Sequence, residues 1–122
     1  EYLPVYAQGS LLYPLPVFNS PDSINNVDIA NNLSKILSDR PAVLMKAHGV
    51  VTTGADIIDA FVLLNYLEEN SERQYRAQLI GEPYSLSRDE IELCYKKLYN
   101  KSLFKRTWNH FSAKLDGTVL DV

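Results

Sequence analysis

The stretch that decides the reading is Ala42-Val43-Leu44-Met45-Lys46-Ala47-His48-Gly49-Val50-Val51-Thr52-Thr53-Gly54. Four apolar residues lead to a short break that carries His48 beside Gly49. A second apolar, β-branched run leads out to Gly54. The pattern predicts a strand, a tight turn holding His48, and a second strand. A buried or half-buried imidazole at a strand end, on backbone that a glycine lets come close, can hold a metal or a proton. On the local pattern alone, a structural hairpin histidine is the commoner reading, because one histidine is weak evidence of a site.

Upstream, Val27, Ile29, Ala30, Leu33, Ile36 and Leu37 have the spacing of an amphipathic helix. Asn25-Asn26 offers its cap, and Pro41 disfavours helix at Arg40. Residues 1–26 read as irregular coil, because Pro4, Pro14, Pro16 and Pro21 limit any strand to a short or edge position. Gly9-Ser10 marks a turn. Tyr2, Tyr6, Tyr13 and Phe18 predict that this coil packs on the body.

Downstream, Asp56 caps a long helix over about residues 57–79. Its first half is apolar nearly all round, which predicts burial on more than one face. Its second half is polar, and Gly81-Glu82-Pro83 ends it. Ser87 and Glu90 form a capping box for a helix to about Tyr99, with Ile91, Leu93, Cys94 and Leu98 inward. Asn100-Lys101-Ser102 reads as a break. A last basic helix over about 103–114 carries Phe104, Trp108, Phe111 and Leu115 on one stripe, and the tail turns away at Asp116-Gly117-Thr118. The order is coil, helix, two strands, three helices. Two strands do not make a stable sheet, so the chain reads as half of an α/β fold.

Composition excludes several classes. A net charge of −3 argues against a nucleic-acid or membrane-surface binder, which needs clustered Lys and Arg. No apolar run is long enough to span a bilayer. A single cysteine, Cys94, rules out an internal disulfide and makes the cytoplasm the default compartment. Cys94 sits on an apolar helix face and reads as a core residue. His48 and His110 are the only two histidines, and there is no HxH, HExxH or CxxC spacing. Glu68-Glu69 reads as a solvated face. Arg106, Trp108, Asn109 and His110 lie close in the last helix. Either that helix simply docks by its aromatic stripe, or Arg106 and His110 reach a pocket and bind an anionic substrate group.

The ordered set of motifs resembles the class II aldolase/adducin family. The resemblance rests on residues 42–54, then Asp59-Ala60-Phe61, then Tyr66-Leu67-Glu68-Glu69-Asn70-Ser71-Glu72, then Gly81-Glu82-Pro83 with Leu86-Ser87-Arg88-Asp89-Glu90. Leu15-Pro16-Val17-Phe18 and the helix from Val27 fit as well, so it covers about residues 3–100, leaving 101–122 as a C-terminal helix and tail. It implies a three-layer α/β/α class II aldolase-like fold, of which this chain is only the C-terminal half. It implies a divalent metal held by three histidines, zinc in the first instance, with manganese, iron or magnesium as alternatives. Only the third ligand carries over, onto His48. The HxH pair and the acidic catalytic residue would lie in the N-terminal half, supplied separately, so the isolated chain is expected to be inactive. The implied chemistry is Lewis-acid stabilisation of an enediolate or similar carbanion, serving aldol cleavage, epimerisation or decarboxylation. The Pro-Val-Phe and Leu-Glu-Glu-Asn-Ser-Glu runs resemble the decarboxylase-like branch somewhat more. The implied substrate is a small anionic or hydroxy-carbonyl compound, and the implied assembly is a homotetramer. The same fold also serves non-catalytic, adducin-like interaction modules, which is the alternative reading.

Overall fold

The computed structural model describes residues 1–115. Strands β1 (Val17–Phe18), β2 (Ala42–Met45) and β3 (Gly49–Thr52) form one sheet in the order β1-β2-β3. The predicted hairpin is present: β2 and β3 run antiparallel, with Ala42 opposite Thr52 and Met45 opposite Gly49. β1 lies parallel to β2, with Val17 beside Leu44. The expectation of two strands is therefore corrected to three, and the third comes from the stretch read as coil. Prolines hid it. Pro16 lacks an N–H, but the sheet needs only its carbonyl, which accepts from Leu44 N at 2.9 Å, as Phe18 O accepts from Lys46 N at 3.0 Å.

Side-chain alternation sends the sheet residues to two faces. Phe18, Val43 and Met45 point to one side and pack against Ile29, Leu33 and Leu37 of helix α1 (Val27–Leu37). Asn26 caps α1 as expected, its Oδ1 accepting from Ile29 N at 3.0 Å. Ala42 and Val50 point to the other side, into a core with Leu11, Leu12, Val62, Leu63, Leu67 and Phe104. Helix layers thus cover both faces, which is the α/β/α arrangement expected.

Helix α2 (Ile57–Ile80) is capped by Asp56 and spans this second layer. Its polar half also carries buried side chains. Asn70 and Gln74, one turn apart, hold the N-terminal segment as a neighbouring strand would. Asn70 accepts from Val5 N and donates to Leu3 O; Gln74 accepts from Leu3 N and donates to Glu1 O, all between 2.7 and 2.9 Å. The segment then winds into a 3₁₀ helix over Ala7–Leu12, where coil with a turn was expected, and packs between α2 and helix α3 (Arg88–Leu98). Gly9 is required there, because a Cβ would collide with the Asn70 side chain.

The capping box of α3 is complete. Leu93 was expected inward but is 52% exposed. α3 packs on the narrow 3₁₀ segment, which covers only the stripe of Ile91, Cys94 and Leu98, all half-buried. Helix α4 (Lys101–Ser112) starts inside the stretch read as a break, because Asn100 caps it by accepting from Ser102 N and Leu103 N. Phe104 and Trp108 are buried as expected, and Phe61 meets the Trp108 ring edge-on at 5.2 Å. Leu115 lies past the helix end and is exposed. The turn expected at Asp116-Gly117-Thr118 falls outside the described residues. Among the described residues, no helix is long and apolar enough to cross a membrane.

Candidate functional site

Lys46, Ala47 and His48 form the turn between β2 and β3. His48 N closes it by donating to Met45 O at 3.1 Å. Two expectations are corrected here. The glycine was expected to permit a close approach of backbone, but a Cβ on Gly49 would meet open space, and the left-handed residue of the turn is Ala47, at φ 53°. The imidazole of His48 is exposed, where a buried or half-buried ring was expected. The whole turn, Lys46 to Gly49, is exposed with it. The ring makes no hydrogen bond among the described residues, which leaves both nitrogens available.

Next to it, Gly49 borders a groove of about 660 Å³ between the sheet and α2. Val17, Leu44 and Val50 form the sheet side, and Leu64 and Glu68 the helix side. Val17 and Leu44 are 49% and 40% exposed, although they lie on the face that elsewhere builds the core. The segment held by Asn70 and Gln74 closes one end, where burial pushes the Tyr2 hydroxyl pKa up and its O–H donates to Gly9 O at 2.8 Å.

The donor set for a metal is incomplete. Among the described residues, no three His, Cys, Asp or Glu side chains come together. His48 offers one nitrogen, and this chain alone does not fit a metal centre.

Arg106 and His110 line a different pocket, of about 710 Å³, with Gln8, Tyr66, Glu69 and Thr107. Leu67 and Glu68 face the groove whereas Tyr66 and Glu69 face this pocket, so the two open on different sides of α2. The Glu68-Glu69 pair is thereby split, both side chains being exposed. Glu69 accepts from Tyr6 O–H at 2.8 Å. Burial first, and then this bond to a carboxylate, raise the Tyr6 pKa. Trp108 points away, into the core. Cys94 is half-buried.

Sequence reasoning missed one cluster. Asp59 is fully buried, and both its oxygens lie 2.6 Å from Lys101 Nζ, which also reaches Asp56 at 3.2 Å. The pair ties the start of α2 to the start of α4. No local signal marked it, because the partners are 42 residues apart and Lys101 lies in the stretch read as a break. The bond to Asp59 raises the Lys101 pKa, and the bond from Asp59 N lowers that of Asp56.

Residues 4–75 match the family described as Class II Aldolase and Adducin N-terminal domain. An L-fuculose phosphate aldolase of Methanococcus maripaludis is 35% identical over 57 residues, 47% of this chain and 30% of its own length. The crystal structure of an aldolase II superfamily protein from Pseudomonas syringae superposes on 95% of this chain, with TM-score 0.78 and 20% identity. An L-fuculose 1-phosphate aldolase from Glaciozyma antarctica superposes on 93%, with TM-score 0.73 and 14% identity. The fold is shared with both. The chain spans 49% and 45% of those two structures, and less than a third of the curated relative.

Proposed function

We propose that this chain, which belongs to the class II aldolase and adducin family, is the C-terminal part of a divalent-metal-dependent lyase domain to which His48 gives one metal ligand. The observation that carries the reading is the His48-Gly49 turn. It lies inside the matched residues and holds an uncommitted imidazole beside an apolar groove. Since the donors here do not complete a metal centre, the other ligands and the catalytic acid or base come from the N-terminal half of the domain. The isolated chain is then inactive. Zinc suits a site built on imidazoles, with manganese, iron or magnesium as alternatives.

The reaction class is cleavage of a carbon–carbon bond next to a carbonyl, by aldol cleavage or decarboxylation. The name of the curated relative favours the aldol reaction, and L-fuculose 1-phosphate is the first substrate to try. The working form is a cytoplasmic homo-oligomer, a tetramer. Assay of the full-length protein for aldehyde release tests the reading. Cleavage is expected to stop on chelation, to return with added zinc, and to vanish in His48→Ala. Cleavage that survives both treatments overturns it. A full-length protein without cleavage or bound metal points instead to an adducin-like interaction module.

A further inference from the structure

We propose that the pocket between α2, α4 and the 3₁₀ segment binds a small hydroxycarboxylate, its carboxylate on Arg106 and His110 and its hydroxyl on Glu69. The pocket opens on a different side of α2 from the groove beside His48, so the inference does not rest on the lyase reading.

Opposite charges share this pocket without pairing. Among the described residues, the Arg106 guanidinium enters no ion pair and no hydrogen bond, although the Glu69 carboxylate lines the same space. Glu69 is already oriented, because its Oε2 accepts from Tyr6 O–H, and its Oε1 has no donor among the described residues. Arg106 and His110 are one turn apart on α4 and so project on the same side. Thr107 O–H donates to Leu103 O at 3.2 Å, which leaves the Tyr66 O–H, in a weak 3.4 Å contact with Thr107 Oγ1, as the hydroxyl that a ligand oxygen can recruit. A molecule with an anionic end and a neutral donor end satisfies both walls at once.

The charge balance selects the ligand class. Arg106 is the cation that lines the pocket, while Arg73 lies over the Tyr6 ring at 4.7 Å, so a single carboxylate has one lining cation to pair with and a second negative charge would add repulsion from Glu69. A plain carboxylate leaves Glu69 without a donor. Leu98, Leu103 and Phe111 supply apolar wall, which suits a short carbon chain.

Calorimetric titration of the full-length protein with glycerate, propionate and inorganic phosphate tests this. Each titration is run in the wild type and in His48→Ala, so that chelation at the proposed metal donor cannot imitate binding here. Glycerate is expected to bind in both, about tenfold more tightly than propionate or phosphate. Arg106→Gln is expected to weaken glycerate about tenfold, and Glu69→Gln to narrow the gap between glycerate and propionate. Both positions are exposed, and a circular dichroism spectrum matching wild type verifies the fold. Absent binding, equal binding of the three anions, glycerate binding unchanged in Arg106→Gln, or binding lost in His48→Ala each overturns the proposal.

Discussion

At the scale of single residues, Asn70 ties the N-terminal segment to α2. Its amide serves two backbone groups of the N-terminal segment at once, the Val5 N–H and the Leu3 carbonyl. Removing it strands both, and a buried polar group left unpaired costs about 1–3 kcal/mol. Asn70→Ala is therefore expected to lower unfolding free energy by about 2–4 kcal/mol in denaturant titration. Gly9→Ala should act in the same direction, since its Cβ meets the same amide. A change under about 0.5 kcal/mol in both variants would show that the segment is not held this way. None of this was legible in the sequence, because Asn70 and its partners are 65 and 67 residues apart. The Asp59–Lys101 pair, 42 residues apart, was hidden for the same reason. His48 was legible as a residue type in a turn. Its exposure was not, since exposure depends on which elements pack around the turn.

At the scale of elements, the caps were legible because capping is local. Asn26, Asp56 and Ser87 each bind an N–H three residues on. Ser87→Ala is expected to cost about 1 kcal/mol, read as a lowered melting temperature. The carboxylates at these caps also set the acid limb. Glu90 is held below its usual range by the Ser87 N–H, and Asp56 by the Asp59 N–H. A folded pKa below the unfolded one gives stability that is present above the unfolded value and lost as pH falls through the folded one. Stability should thus decline below about pH 4, and Asp56→Asn, which keeps a good cap, should flatten that decline. An identical acid limb in the variant would exclude Asp56 as a contributor. Lys101 has the opposite sign: its pKa is raised, so its contribution persists at neutral pH and is lost only above the ordinary lysine range. The elements that escaped sequence reading, β1 and the 3₁₀ helix, are short and carry no period. They exist because β2 and α2 offer them partners.

At the scale of the whole molecule, the sheet face is only partly used. Ala42 and Val50 are in the core, whereas Val17 and Leu44, on the same face, border an open groove with Leu64. The helix and strand patterns made an incomplete α/β fold legible, and the three-layer α/β/α arrangement followed from the family resemblance of the motifs. The third strand and the separation of His48 from Arg106 and His110 required the packed chain. If the remaining half of the domain covers the groove, the 122-residue chain alone should bind a hydrophobic dye and lack a sharp monomeric unfolding transition. A cooperative transition of a dye-free monomer would contradict that.

The central claim is that His48 is one ligand of a metal completed by residues outside this chain. The most direct measurement is elemental analysis of the purified full-length protein beside its His48→Ala and Arg106→Gln variants. The account predicts one divalent metal per protomer in wild type and in Arg106→Gln, and its loss in His48→Ala. Wild-type protein without metal, or His48→Ala with the wild-type content, would contradict it.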